Sequence, residues 1–151
     1  MKLREIMTTD VDVIQPDDAL RLAAKKMRDR NIGFLPVCDG ETLLGVLSDR
    51  DITVRALADG MEINVMLARD LMTTPVIYCF EDQDIKEAAK IMEDNQIRRL
   101  VVLSRDDKRL VGVVSLGDLA RNGTANFSGK VLQKVSEPEV SEEASEPAKK
   151  A

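Results

Sequence analysis

Gly45-Val46-Leu47-Ser48-Asp49-Arg50-Asp51-Ile52 returns further along the same chain as Gly112-Val113-Val114-Ser115-Leu116-Gly117-Asp118-Leu119. Upstream of each copy the match continues. Glu5-Ile6-Met7-Thr8-Thr9 corresponds to Asp70-Leu71-Met72-Thr73-Thr74, Asp17 to Asp82, Ala23-Ala24-Lys25 to Ala88-Ala89-Lys90, Met27 to Met92, Ile32 to Ile97, Leu35 to Leu100 and Val37 to Val102. The offset stays at 65 residues up to Val102, after which a turn in the second copy is two residues longer. An insertion confined to a turn, with both flanking strands intact, is what a duplicated fold tolerates. The chain is therefore a tandem repeat. Function is to be sought where the copies agree on polar residues.

Each copy of about 60 residues is near the lower limit for independent stability, so the two are expected to share a core. Loss of one copy should then unfold the other. Hydrophobic residues make up 44% of the 151 and aromatics 3%, with no Trp, which predicts an aliphatic core filled out by Met. A net charge of −5 argues against a surface for duplex nucleic acid, which needs a concentrated basic face. No apolar run has the length of a membrane span, and Met1-Lys2-Leu3-Arg4-Glu5 begins no signal peptide. These features predict a cytoplasmic protein without membrane partners. Cys38 and Cys79 fall at non-equivalent places in apolar runs and read as small buried hydrophobes.

The pattern predicts an α/β chain of the α+β type, with two β-α-β-β-α repeats. Residues 1–64 form the first repeat with its connector, 65–124 the second, and 125–151 a short helix followed by a flexible tail. Val11–Ile14 reads as a strand ended by Pro16, with Asp17 placed to cap the next helix. Leu20, Ala23, Ala24 and Met27 recur as Ile85, Ala88, Ala89 and Met92 at helical spacing and read as core faces. Phe34–Cys38 and Leu43–Leu47 make a hairpin across Asp39-Gly40, and Leu100–Leu103 and Leu110–Val114 repeat it around a longer charged loop. Helices are expected at Ile52–Leu57, from Leu119 to Asn122-Gly123, and at Phe127–Ser136 with Val131, Leu132 and Val135 on one face. From Glu137 onward Ser, Glu, Pro, Ala and Lys dominate without periodicity, which predicts disorder.

Polar agreement between the copies falls on Ser48 with Asp51 and on Ser115 with Asp118. Each pair leaves an apolar strand through a turn that opens a helix, bringing together a hydroxyl, a carboxylate and helix-start N–H groups. One reading is helix capping. The other is a nucleoside site: a carboxylate accepts hydrogen bonds from both hydroxyls of a ribose, and the serine with the helix-start amides holds a phosphate. An adenine ring would need a flat apolar slot. Val11, Val13, Leu35 and Pro36 can supply one, and Val76, Tyr78, Leu100 and Val101 the other. The chain has no His, hence no Ser-His or Cys-His pair, and it lacks both a phosphate-binding Gly-x-x-x-x-Gly-Lys-Ser/Thr and a zinc spacing. No catalytic residue and no metal ligand are expected. A carboxylate-only nucleotide hydrolase is the remaining enzymatic alternative.

The doubled Met-Thr-Thr, the Ala-Ala-x-x-Met helix, the strand carrying Pro36-Val37 and the Gly-Val-Leu-Ser-x-x-Asp-Ile run together resemble a cystathionine-β-synthase (CBS) domain pair, or Bateman module, of the stand-alone prokaryotic type. The resemblance covers roughly residues 3–122. It implies repeats packed by their sheets about a pseudo-twofold axis, with two clefts for adenosine-containing ligands. The family's ribose contact falls on Asp51 and Asp118, and its phosphate contact on Ser48 and Ser115. The family's basic residue before the second strand falls on Arg98 and Arg99, where the first copy has Gly33 and Phe34; Arg50 stands where the second copy has Gly117. The implied ligand is AMP, ADP or ATP acting as a regulatory ligand with no cofactor required; S-adenosylmethionine, NAD and cyclic di-AMP are alternatives. The resemblance also implies a homodimer forming a disc of four repeats, and a protein effector that receives the signal. A dimeric scaffold with vestigial clefts is the competing expectation.

Overall fold

The computed structural model describes residues 1–138. The predicted flexible tail falls mostly on residues 139–151, which lie outside the described residues. A single 3-10 turn at Leu3–Glu5 precedes α1 (Leu20–Arg30), the strands β1 (Phe34–Asp39) and β2 (Thr42–Ser48), and a wide helix at Asp51–Leu57. The second copy gives α2 (Ala68–Leu71), β3 (Tyr78–Phe80), α3 (Ile85–Asn95), β4 (Arg99–Leu103), β5 (Leu110–Ser115) and α4 (Leu116–Asn122), and α5 (Ala125–Val135) follows.

Local chemistry accounts for these elements. α1 buries Leu20, Ala23 and Met27, and α3 buries Ala88, Ala89 and Met92; Ala24, expected on the same stripe, is exposed. Both helices stop at a residue in the left-handed region, Asn31 at φ 53° and Gln96 at φ 51°, which ends the ladder at equivalent positions. Asp84 caps α3 by accepting from the Lys86 amide at 3.0 Å. α1 has no side-chain cap: it starts after Ala19, and Asp17, expected there, is ion-paired with Arg69 instead. The β1–β2 hairpin closes at Asp39↔Thr42, and Gly40 at φ +61° supplies the turn. β4 and β5 pair antiparallel in the same register and carry a bulge at the equivalent place, and β3 adds to β4 in parallel. The strand expected at Val11–Ile14 shrinks to one bridge, Ile14 with Val37. Asp is a poor strand former, and here Arg30 holds Asp12 at 2.9 Å and Asp10 at 3.5 Å, drawing the segment toward the end of α1.

The two leaders change places. Leu3 at the start of the chain is fully buried in the core built by α3, β4, β5 and α5, whereas Ala68 and Leu71 are buried among Leu20, Ala23, Leu35 and Leu47 of the first copy. Backbone bonds make the exchange reciprocal: the Leu3 and Arg4 amides donate to the Gln83 and Glu81 carbonyls, and the Ala68 and Arg69 amides to the Asp18 and Pro16 carbonyls. Thr8 pairs in both directions with Val113 at 2.9 and 3.0 Å, and Thr73 with Val46 at 2.8 and 3.1 Å. A reciprocal exchange is what a pseudo-twofold relation requires.

The exchange also explains the two glycines that open the repeated octapeptides. A Cβ at Gly112 would lie 2.7 Å from Met7 Sδ and 2.9 Å from the Thr8 carbonyl; at Gly45 it would lie 2.8 Å from Met72 Sδ and 3.0 Å from the Thr73 carbonyl. Met-Thr-Thr of each copy thus lies on the glycine of the other. The single shared core expected from the repeat is replaced by two cores, each completed by the other copy's leader. Backbone pairing of a leader needs a sheet edge, and each hairpin offers one on its outer strand.

Candidate functional site

Ser115 and Asp118 form a reciprocal box at the start of α4. The Asp118 amide donates to Ser115 Oγ at 3.1 Å and the Ser115 amide to Asp118 Oδ2 at 2.8 Å. Ser48 and Asp51 repeat it at 3.1 and 2.9 Å at the start of the wide helix, onto whose Thr53 and Ala56 carbonyls the following Ala58 and Met61 amides reach back five residues. Capping is thus observed at both corners, and it leaves chemistry over. Each serine oxygen accepts one bond and keeps its proton free to donate, while each carboxylate keeps Oδ1 for another donor. Arg121 bonds Asp118 Oδ1, and Arg55 lies 3.8 Å from Asp51 Oδ1 while also donating to the Leu71 carbonyl at 3.1 Å.

The Ser115 corner opens on a cleft of about 270 Å³ whose opposite wall belongs to the first copy. Val11, Ile32, Phe34 and Pro36 give that wall its apolar surface, and Asp10, Asp12 and Asn31 its polar edge. Arg99, paired with Ser115 across β4 and β5, lies on the near side. Its guanidinium has no ion-pair partner among the described residues. Asp118 is 8% exposed and its neutralising partner Arg121 is largely exposed.

Of the residues singled out from sequence, the cleft unites Val11, Pro36, Arg99, Ser115 and Asp118. Leu35, Leu100 and Val101 are buried within their strands and reach no cleft. As apolar residues of the strands beside the slot they read as its lining; the pleat turns Leu35 and Leu100 into the two cores, and Val101, on the opposite face of β4, is buried as well. Val13 lines a hollow with Cys38 and Arg109, and Val76 and Tyr78 line another with Lys108 and Arg109. Arg98 turns away toward α5, where its guanidinium donates to Ser136 Oγ at 3.4 Å, and Gly117 lies on that same side. Ser48, Arg50 and Asp51 form the equivalent corner of the first copy, with Arg50 exposed and its amide bonded to Asp49 Oδ1. Thr8, Asp12, Asn31 and Val113 were missed. The signal for Thr8 was present, since the doubled Met-Thr-Thr marks a segment under constraint in both copies.

Burial pushes the Cys79 thiol up to about 12 and the Cys38 thiol above its usual range, consistent with their reading as hydrophobes.

The fold and the twin corners place the chain among known proteins. The profile of the CBS domain matches residues 3–57 and 68–123, so the chain belongs to the CBS domain family as a tandem pair. Hypoxic response protein 1 of Mycobacterium tuberculosis is 38% identical over 120 residues, covering 79% of this chain and 82% of that protein. The CBS domain-containing protein YhcV of Bacillus subtilis is 35% identical over 135 residues, covering 89% of this chain and 94% of that one. The crystal structure of the hypoxic response protein, which has two coordinated zinc ions, superposes with a TM-score of 0.74 at 37% identity, over 82% of this chain and all of that one. The CBS domain pair of protein MJ0100, in complex with 5′-methylthioadenosine and S-adenosyl-L-methionine, gives a TM-score of 0.72 at 27% identity, over 86% of this chain and 98% of that one. Zinc does not suit the residues here. The chain has no His, and no cluster of three Cys, Asp or Glu side chains able to hold a metal occurs among the described residues. No described helix is long and apolar enough to cross a membrane.

Proposed function

We propose that this chain is a non-catalytic regulatory module that binds an adenosine-containing ligand, with AMP, ADP or ATP the favoured class, and reports its occupancy to a partner protein. The observation that carries the reading is the convergence of Asp118, Ser115 and Arg99, which has no ion-pair partner among the described residues, in one cleft with Val11, Phe34 and Pro36 opposite. Asp118 Oδ1 accepts the ribose diol as Arg121 swings aside; the Ser115 hydroxyl and Arg99 take the first phosphate; the apolar wall receives the base. The cleft volume of about 270 Å³ falls just below the usual range of small-molecule sites, about 300–1,000 Å³, which suits a nucleoside monophosphate better than a dinucleotide such as NAD or cyclic di-AMP. The adenosine ligands of the MJ0100 pair support the class. Because the two walls come from different copies, a ligand that touches both favours one relative setting of the repeats, and that differential affinity is the signal.

A dimeric scaffold is the second reading, and a specific observation favours it. Val54 and Leu57 of the wide helix and Met61 just beyond it are 43%, 63% and 44% exposed, apolar surface that a second copy would bury. Thermal unfolding against AMP, ADP, ATP, adenosine and S-adenosylmethionine separates the two. A ligand at about a hundred times its Kd raises stability by roughly 2.7 kcal/mol. A shift abolished by Asp118→Ala supports the sensor. No shift with any ligand, with a dimer persisting by light scattering, supports the scaffold.

A further inference from the structure

α5 covers the second copy's helices α3 and α4 by burying Val131 and Val135, and leaves a groove of about 470 Å³ along its other side. Leu116, Ala120 and Leu132 make the groove apolar, and Leu132 is 49% exposed in it. Arg98 and Arg99 charge one end. No carboxylate lines the groove, and neither guanidinium has an ion-pair partner among the described residues. In a chain with a net charge of −5, an apolar trough ending in two uncompensated arginines has the chemistry to hold an acidic segment with an apolar residue in it.

Such a segment begins next to the groove. Ser136 at the end of α5 touches Arg98, and the Gln96 side-chain amide donates to the Glu137 carbonyl at 2.6 Å, so the chain leaves α5 already bonded to the turn between α3 and β4, next to both arginines. Residues 139–151 then read Glu-Val-Ser-Glu-Glu-Ala-Ser-Glu-Pro-Ala-Lys-Lys-Ala, with Glu139, Glu142, Glu143 and Glu146 around Val140. At about 3.3 Å per residue, three residues span at most roughly 10 Å, so a carboxylate following Pro138 can reach the groove end that Arg98 and Arg99 charge.

We propose that residues 139–151 dock in this groove, Val140 against Leu132 and the glutamates on Arg98 and Arg99. Arg99 and Ser115 line both the groove and the nucleotide cleft, so a glutamate on Arg99 competes with a ligand phosphate for the same guanidinium. The tail thus sets the affinity of the cleft for phosphorylated ligands and leaves that for adenosine alone. The docking stands on the groove and the tail; the competition rests on the function proposed above.

The full chain, a chain ending at Pro138 and a full chain with Glu139, Glu142, Glu143 and Glu146 all changed to Gln are compared by amide and arginine side-chain NMR, then titrated with AMP and adenosine. Docking predicts that shortening moves the signals of Arg98, Arg99, Gly117, Gly129 and Leu132, that the Gln variant moves them the same way, and that a synthetic 139–151 peptide added to the shortened chain restores them. Competition predicts AMP binding about tenfold tighter in the shortened chain, with adenosine unchanged. Unmoved groove signals on shortening, or a peptide footprint on another face, overturn the docking. Moved signals with AMP affinity equal in the two chains overturn the competition. Moved signals with no binding of AMP or adenosine to either chain leave the docking standing and remove the nucleotide reading.

Discussion

At the Ser115 corner the carboxylate is nearly enclosed and Arg99 stands across the ladder from the serine; at the Ser48 corner the ladder partner is Phe34, and the Asp51 side chain is 20% exposed. Their hydrogen bonds agree to within a tenth of an ångström. The motif therefore builds the corner, and the residues facing it decide what the corner can hold. Each carboxylate has a nearby arginine, Arg121 or Arg55; the corners differ in the ladder partner of the serine, Arg99 against Phe34, and in Arg50, which stands where the second motif has Gly117.

The largest test of this comparison concerns the halves as packed bodies. Leu3→Ala and Leu71→Ala each remove a fully buried leader residue and should cost about 2–5 kcal/mol in urea unfolding. Hydrogen exchange should show the loss on the far side in each case: Leu3→Ala loosens β4 and β5, Leu71→Ala loosens β1 and β2. Local loosening instead would break the crossed packing.

Ligand binding gives the next largest effect. Asp118→Ala should weaken AMP binding by about 1.5–3 kcal/mol, roughly tenfold to a hundredfold, by calorimetry. Asp51→Ala should weaken it far less if the second corner is the working one. Equal losses would show two matched sites. Arg99→Phe sharpens the contrast further by giving the second corner the first one's ladder partner. It should cost about tenfold toward AMP and little toward adenosine.

The smallest effect lies at the helix starts. The Lys86 amide, with help from the Met1 amine, holds the Asp84 carboxyl below its usual range, and α1 has no such cap. A carboxyl whose pKa is lower in the folded state stabilises above its unfolded pKa, about 4, and loses that contribution as pH falls through the lower folded value. Exchange protection of α3 should fall with acid in that window, and Asp84→Asn should flatten the fall without touching α1.

Sequence alone reveals the repeat, both hairpins, the core faces of α1 (Ala24 excepted) and α3, and the twin Ser/Asp corners, because each is local in the chain and doubled. It does not reveal the exchange of leaders. Met7 and Met72 have closely similar neighbours in sequence, and nothing in their pattern says which copy's glycine each will cover. Arg98 and Arg99 were equally opaque: β4 begins between them, and only the pairing of Arg99 with Ser115 shows which one enters the cleft. The short first strand was overstated because Val11, Val13 and Ile14 outweighed Asp10 and Asp12, whose charges Arg30 collects.

The exchanged leaders have a consequence for the chain as a covalent object. A protease cut in the exposed stretch around Met61–Val65 yields two pieces, each of which holds a part of the other's hydrophobic interior. Such a nicked protein should migrate as one particle under native conditions and come apart only in denaturant. The same stretch is therefore a place to split the gene and recover a working whole by mixing its halves.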